Sequence, residues 1–390
     1  MRDDDDPEKW RMKGQTEIKH QILQAYLKPW LPKISEVASS VNYIDGFAGR
    51  GRYEDGSPGS PIIAMQAAAD KESAISRKLN SFNCYFIEEN ASIYGDLEYE
   101  IENFKPNAPN FVNTFPENTT FKRFSEGFIE KNQKYCDPSF IFVDPFGFSG
   151  LPFEVVNQLL NLRTTGTEVF ITFMSGKMAQ FMENDEHASA IDEILGTSIW
   201  RDRIDTCAGK DDRAKQFVQL YQDRLRNQAG VKHVWPFEML EETKSQNCYY
   251  LIHATNHFEG FKLMKKVMYR KGAGDQFAYL GPDHYPFEDG QDSLSNYGMT
   301  DQQEADIEGL SEYLYERFNG EKMTFNEVLE QSLEETKLVV KHYREACKNL
   351  AKRNKVQIEH RPNMPKGRTQ SGLGEDDYVI FEDQSLERWI

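Results

Sequence analysis

Residues 45–61 read DGFAGRGRYEDGSPGSP, and five of these seventeen residues, at 46, 49, 51, 56 and 59, are glycine. Asp45 opens the stretch, and Arg50 and Arg52 sit inside it. Immediately upstream, Val41, Tyr43 and Ile44 form a short apolar run with the character of a strand. Glycines directly after a strand serve either a sharp turn or the close approach of a ligand to a backbone without Cβ atoms. In an open α/β sheet, ligands bind beyond the carboxyl ends of the strands. The stretch therefore bears on fold and function together.

Working outward, strand and helix patterns alternate. A helix is expected over 15–31, where Ile18, Ile22, Leu23, Tyr26, Leu27 and Trp30 recur at helical spacing. Strands are expected at 41–47, 83–90, 139–146 and 167–174, a weaker one at 118–124, and helices at 60–70, 91–104 and 152–162. Strands at 231–239 and 247–256, joined by the short polar link 240–246, are expected to form an antiparallel hairpin. This alternation predicts a doubly wound, mostly parallel α/β sheet of Rossmann-like type over residues 1–270. Residues 1–14 read as a frayed arm, and 175–215 as a helical insertion suited to a lid or a substrate-binding element. The Gly-, Asp- and Pro-rich stretch 271–300 reads as a linker. Beyond it, three helical patterns and two short strands predict a winged helix-turn-helix domain over 301–390.

The chain has 390 residues and a formal net charge of −17, which argues against a nucleic-acid-binding surface spread over the whole molecule. No apolar run is long enough for a membrane span. The acidic start MRDDDDPEKW resembles neither a secretory signal nor a transit peptide. The five cysteines are scattered and form no CxxC pair, so neither a disulfide framework nor a metal site is expected. A cytoplasmic protein follows from these features.

The second strand ends in Glu88-Glu89, and a carboxylate there can accept bonds from both hydroxyls of a ribose. The glycine loop lacks the GxGxxG spacing that cradles a pyrophosphate, so a nucleoside without phosphates, such as S-adenosylmethionine, is the expected ligand. The fourth strand emits Asp144-Pro145-Phe146-Gly147-Phe148. A carboxylate and a carbonyl at a strand tip can hold the hydrogens of an exocyclic amine, and a neighbouring aromatic can stack on its ring. Asp144 is equally suited to a turn, because Asp-Pro favours turns. Arg50 and Arg52 are either surface charges or contacts to a substrate phosphate.

The long motifs KHQILQAYLKPWL (19–31), DGFAGRGRYEDGSPGSP, YFIEEN (85–90) and FIFVDPFGFSGLPFE (140–154) resemble the three-Cys-motif partner proteins (TcmP family), over roughly residues 8–270. More distantly, they are similar to the ribosomal RNA adenine-N6 methyltransferases. The resemblance implies a class I methyltransferase-like fold, S-adenosylmethionine as cofactor, and a partner protein with a three-cysteine, radical-SAM-like motif. It implies that Asp45, Gly49 and Gly51, with Gly46 and Phe47 of the same loop, contact the methionine moiety. It also implies that Glu88 holds the ribose, that Lys19 and His20 lie near the cofactor, and that Asp144 holds the target amine. The chain departs from the Asp-Pro-Pro-Tyr pattern of amino-methyltransferases: the fourth position is Gly147, and the aromatics are Phe146 and Phe148.

Residues 341–368 hold nine basic residues (Lys341, Arg344, Lys348, Lys352, Arg353, Lys355, Arg361, Lys366 and Arg368) against Glu345 and Glu359. Concentrated on the third helix and wing tip of a winged helix, they predict nucleic-acid contact. Two classes of function follow. One is a methyltransferase acting on nucleic acid, on a base amino group. The other is a non-catalytic scaffold that binds nucleic acid and its partner, or a ligand-sensing regulator.

Overall fold

A computed structural model describes residues 14–163, 166–240, 247–272, 274, 277–279, 301–361 and 372–382. The expected N-terminal arm, most of the expected linker, and the wing-tip residues Lys366 and Arg368 lie outside the described residues. The chain divides into two units, residues 1–285 and 286–390.

In the first unit, the elements follow as α1 (Gly14–Ile34), β1 (Ser40–Asp45), α2 (Ser60–Ile75), β2 (Ser81–Ile87), α3 (Ala91–Phe104), β3 (Val112–Glu117) and α4 (Phe121–Asn132). Next come β4 (Ser139–Val143), α5 (Phe153–Leu162) and β5 (Thr167–Phe173). The helices α6 (Ser175–Phe181), α7 (Asp185–Leu195), α8 (Trp200–Arg203) and α9 (Lys210–Asn227) lead to β6 (His233–Leu240), β7 (Asn247–Thr255), α10 (Phe258–Lys271) and β8 (Ala278–Tyr279). The strands form one sheet in the order β3-β2-β1-β4-β5-β7-β6-β8. The β1–β5 pairings are parallel, whereas β7 runs antiparallel to both β5 and β6. This is the methyltransferase-like form of the doubly wound sheet. Every residue of β4 and β5 is buried, as parallel strands covered on both faces require.

The expected hairpin at 231–256 is present, and the insertion is helical. Three expectations are corrected. The strand placed at 118–124 is at 112–117 instead, and 121–132 is helix. Phe121, Phe124 and Phe128 recur at helical spacing and are buried, and Thr120 caps the helix by accepting from the Arg123 amide. The expected linker also gives up Ala278–Tyr279 to a short strand that pairs parallel with β6. A third correction concerns the winged helix, below.

Helix α1 lies on the sheet through Ile22, Leu23, Tyr26, Leu27 and Leu31, all fully buried. Each such side chain contributes about 1.5–3 kcal/mol of transfer free energy. The buried Glu168 of β5 fixes the helix further. Its carboxylate accepts from the Tyr26 hydroxyl, from Trp30 Nε1 at 3.0 Å, and pairs with His253 Nε2 of β7 at 2.9 Å. Those bonds outweigh burial and hold its pKa below the ordinary carboxylate range.

The second unit contains α11 (Asp301–Arg317), β9 (Lys322–Thr324), α12 (Phe325–Ser332), α13 (Val340–Lys352), β10 (Val356–Glu359) and β11 (Tyr378–Phe381). It is a winged helix with a three-stranded antiparallel sheet, β10-β11-β9, rather than the expected two-stranded wing. The missed strand is three residues long, too short for periodicity to register. Its last residue, Thr324, also forms a capping box with Glu327 at the start of α12.

Candidate functional site

The strand tips explain the glycine loop. After Asp45, the Gly46 amide donates to Phe142 O at 2.9 Å and the Ala48 amide to Ile87 O at 2.8 Å, so the chain crosses the tips of β4 and β2 in turn. The Gly49 amide donates to Glu88 Oε2 at 3.1 Å, and the Asn90 amide to Glu88 Oε1 at 2.8 Å. Glu88 thus ties the loop to the end of β2. Gly51 has φ +81°, and Gly59 lies so close to it that a Cβ would stand 2.9 Å from Gly51 O. The loop closes there on a 2.8 Å bond from the Gly59 amide to that oxygen. Both reasons for glycine, the turn and the close approach, therefore operate within the loop itself.

Arg50 and Arg52 clasp this loop onto α3. Arg50 Nη1 lies 3.2 Å from Asp96 Oδ2. Arg52 Nε donates to Glu100 Oε2 at 2.9 Å, and its Nη1 to Gly56 O at 2.9 Å. Both arginines are thus engaged within the α/β unit, in contacts that hold the loop against α3.

Four charged or titratable groups converge beside the loop. Lys19 of α1 forms an ion pair with Asp144, the first residue beyond β4; the two side chains are 8% and 21% exposed. Asp45 is fully buried at the tip of β1. Burial pushes its carboxyl up to about 7 and the nearby Asp144 charge adds to this, against bonds from Ser60 and the Phe47 amide. His20 is also buried. Burial and then the Lys19 charge bring its imidazole down to about 3, so it is neutral, and its Nδ1 has no hydrogen-bond partner. Tyr53 packs on His20 at 5.6 Å between ring centroids. Burial first, then the charges of Asp144 and Asp45, raise its phenol well above the usual range. Sequence reasoning missed Tyr53 and Ser60, because an isolated aromatic or hydroxyl in a loop carries no periodic signal.

The rim of β4 separates the two aromatics. Phe146 is 60% exposed, whereas Phe148 is buried and packs edge-on against His187 of α7, 5.7 Å between centroids. Pro145, which precedes them, is buried. Lys177 of α6 donates to Phe146 O at 3.1 Å. The helical insertion thus grips the Asp144–Phe148 loop at two points, and Phe146, not Phe148, is the aromatic presented at the rim.

The charges of the winged helix are arranged differently. Arg353 forks onto Glu308 of α11, Lys355 Nζ lies 2.9 Å from Glu312 Oε2, and Lys348 Nζ lies 2.7 Å from Glu345 Oε1. Arg344 and Arg361 face Glu375 and Asp376. The cluster that looked strongly basic along the sequence is largely compensated in space, with Lys352 left exposed.

Comparison with known proteins agrees with the two-unit architecture. A family model described as the GMT-like wHTH domain matches residues 283–363. No curated protein matches the chain by sequence. Among solved structures the chain is similar to a protein from Legionella pneumophila, at 13% identity and a TM-score of 0.37, covering 64% of this chain and 91% of that one. It is also similar to the O-methyltransferase TomG from Streptomyces achromogenes in complex with SAM, at 11% identity and 0.31, covering 60% and 78%. A third is the O-methyltransferase from Bacillus cereus in complex with SAH, at 12% identity and 0.31, covering 60% and 80%. Strand order and the winged-helix sheet define the chain as a methyltransferase-like α/β unit joined to a winged helix. No helix among the described residues is long and apolar enough to cross a membrane.

Proposed function

We propose that the protein is an S-adenosylmethionine-dependent methyltransferase that modifies an amino group of a nucleic-acid base. The observation that carries this reading is the convergence of Lys19, His20, Asp45 and Asp144 at the tips of β1 and β4 beside the glycine loop. The residues fit the cofactor. Asp45 is a buried carboxylate whose pKa burial raises to about 7, and the cationic methionine end would provide a counter-charge for it. His20 Nδ1 is a buried polar atom without a partner. The Glu88 carboxylate lies at the end of β2 with its oxygens on the Gly49 and Asn90 amides, and a carboxylate can accept several bonds, a ribose hydroxyl's among them. When bound, the cofactor supplies a methyl group already activated on a sulfonium.

The chain's own task is then orientation. Asp144 accepts from the target amine and can take its proton, Lys19 fixes the carboxylate, and Phe146 offers a stacking face. On the resemblance of its motifs, the protein belongs with the three-Cys-motif partner proteins and works beside a radical-SAM-like protein in the cytoplasm. Calorimetric titration with S-adenosylmethionine and S-adenosylhomocysteine tests the first step; no binding at millimolar ligand ends the reading. Tritium transfer to total cellular RNA and DNA tests the second. Binding without transfer, with or without the partner, favours the non-catalytic scaffold, a reading supported by Gly147 at the fourth motif position.

A further inference from the structure

A groove of about 220 Å³ runs along α4 on the face turned toward the edge strand β3. Its helix wall presents Arg123, Gly127 and Lys131, spaced i, i+4 and i+8 and so on one side of the helix. The two cations stand about 12 Å apart along the axis, at about 1.5 Å per residue. Gly127 leaves the space between them open: a Cβ there would meet nothing within 4 Å. Tyr85, Phe124 and Phe128 form the floor, with Tyr85 stacked on the exposed Phe115 at 5.0 Å between centroids. Thr119 closes the end nearest the strand tips, the proposed cofactor shelf; its neighbour Asn118 donates to the Glu88 carbonyl at 2.8 Å.

The two cations are exposed, and neither enters an ion pair with a described residue, in a chain of net charge −17 where the adjacent Lys122 is paired with Glu193. Glu117 is the acid on the opposite wall, which confines an anion to the helix side. Two uncompensated cations about 12 Å apart, separated by an open trough over an aromatic floor, match alternate phosphates of an extended flexible strand with a base between them.

We propose that this groove is a docking site for single-stranded nucleic acid, so that the substrate strand is held on the α/β unit, next to the cofactor shelf. This rests on the proposed function only for the word substrate; the docking itself is separable. The test is fluorescence anisotropy of a labelled 20-nucleotide mixed-sequence RNA, and of the same DNA, with the full chain in low salt. The charge-reversed pair Arg123→Glu and Lys131→Glu is expected to weaken binding at least tenfold. It should also lower the slope of log affinity against log salt by about 1.4, two contacts at about 0.7 each. Arg123 is the third residue of α4 after the Thr120 cap, where glutamate completes a capping box, so the helix is retained. Gly127→Phe fills the trough without changing charge and is expected to weaken binding as well. Lys352→Glu serves as the winged-helix control and is expected to have little effect. Unchanged affinity in the α4 variants, or no binding by the parent protein, overturns the proposal. Cofactor binding by calorimetry in the same samples tells its failure apart from failure of the methyltransferase reading. The difference between RNA and DNA identifies the strand chemistry.

Discussion

The tips of β1 and β4 and the third helix of the winged unit both stand out as charged along the sequence, yet the fold treats them in opposite ways. At the strand tips, residues as far apart as Lys19 and Asp144 are buried together beside a carboxyl and an imidazole that burial has forced toward neutrality. Just beyond α13, Arg353 and Lys355 meet the acids of α11 from about forty residues upstream. Residues 286–390 as a whole carry 22 Asp and Glu against 13 Lys and Arg. Charge counted within a window of sequence is therefore a poor guide to surface potential when helices pack across one another. Buried titratable groups shifted from their ordinary range mark the candidate site better than exposed charges in number.

The strongest test of this contrast is Asp144→Asn. Methyl transfer is expected to fall by about 10²- to 10⁴-fold, since the amide cannot take the amine's proton. Cofactor affinity should be nearly unchanged by calorimetry if Asp144 acts on the acceptor, as proposed. Equal loss of affinity and transfer would make Asp144 a support of the loop instead.

Asp45→Asn is next in size. The folded-state value near 7 lies above the unfolded value of 3.8, so the folded protein holds the extra proton between these limits and loses stability as pH rises through them. The variant is expected to melt higher than the parent at pH 8, by an amount equivalent to at most about 4 kcal/mol. That advantage should fade between pH 7 and pH 4. Cofactor affinity of the parent should fall as pH drops below 7, because a cation must then displace the proton, and the variant should show no such dependence. A flat parent profile removes the Asp45 contact.

A smaller effect is expected from Glu88→Ala, which leaves the Gly49 and Asn90 amides without their acceptor and costs about 2 kcal/mol by denaturant melt, together with weaker cofactor binding. The smallest is Arg353→Ala. Its fork onto Glu308 is exposed, and exposed pairs contribute little, so the melting temperature should barely move. A large drop there would mean that the winged-helix charges hold the fold after all.

Much of the fold is legible because it rests on local patterns. The buried strands β1, β4 and β5, the amphipathic α5 and the hairpin of β6 and β7 all declare themselves through apolar runs and turn residues. The weak edge strand β3 does not, since its residues are only half-buried and the adjoining helix carries the stronger phenylalanine pattern. The same holds for the site. Asp45, Glu88 and Asp144 are visible because strand ends are visible.

By itself, the sequence determined where the central strands run and that glycine must follow the first, because continuous apolar runs and positive φ are properties of a residue and its neighbours. Only the tertiary structure decided what these ends face. It brought Lys19 onto Asp144 and Tyr53 onto His20. It turned Arg50 and Arg52 into a clasp on α3, buried Phe148 while exposing Phe146, and cancelled Arg353 against Glu308. Those outcomes depend on contacts between residues far apart along the chain. Their cost or benefit is set by burial and by the partner that packing supplies, and neither is written in any local stretch.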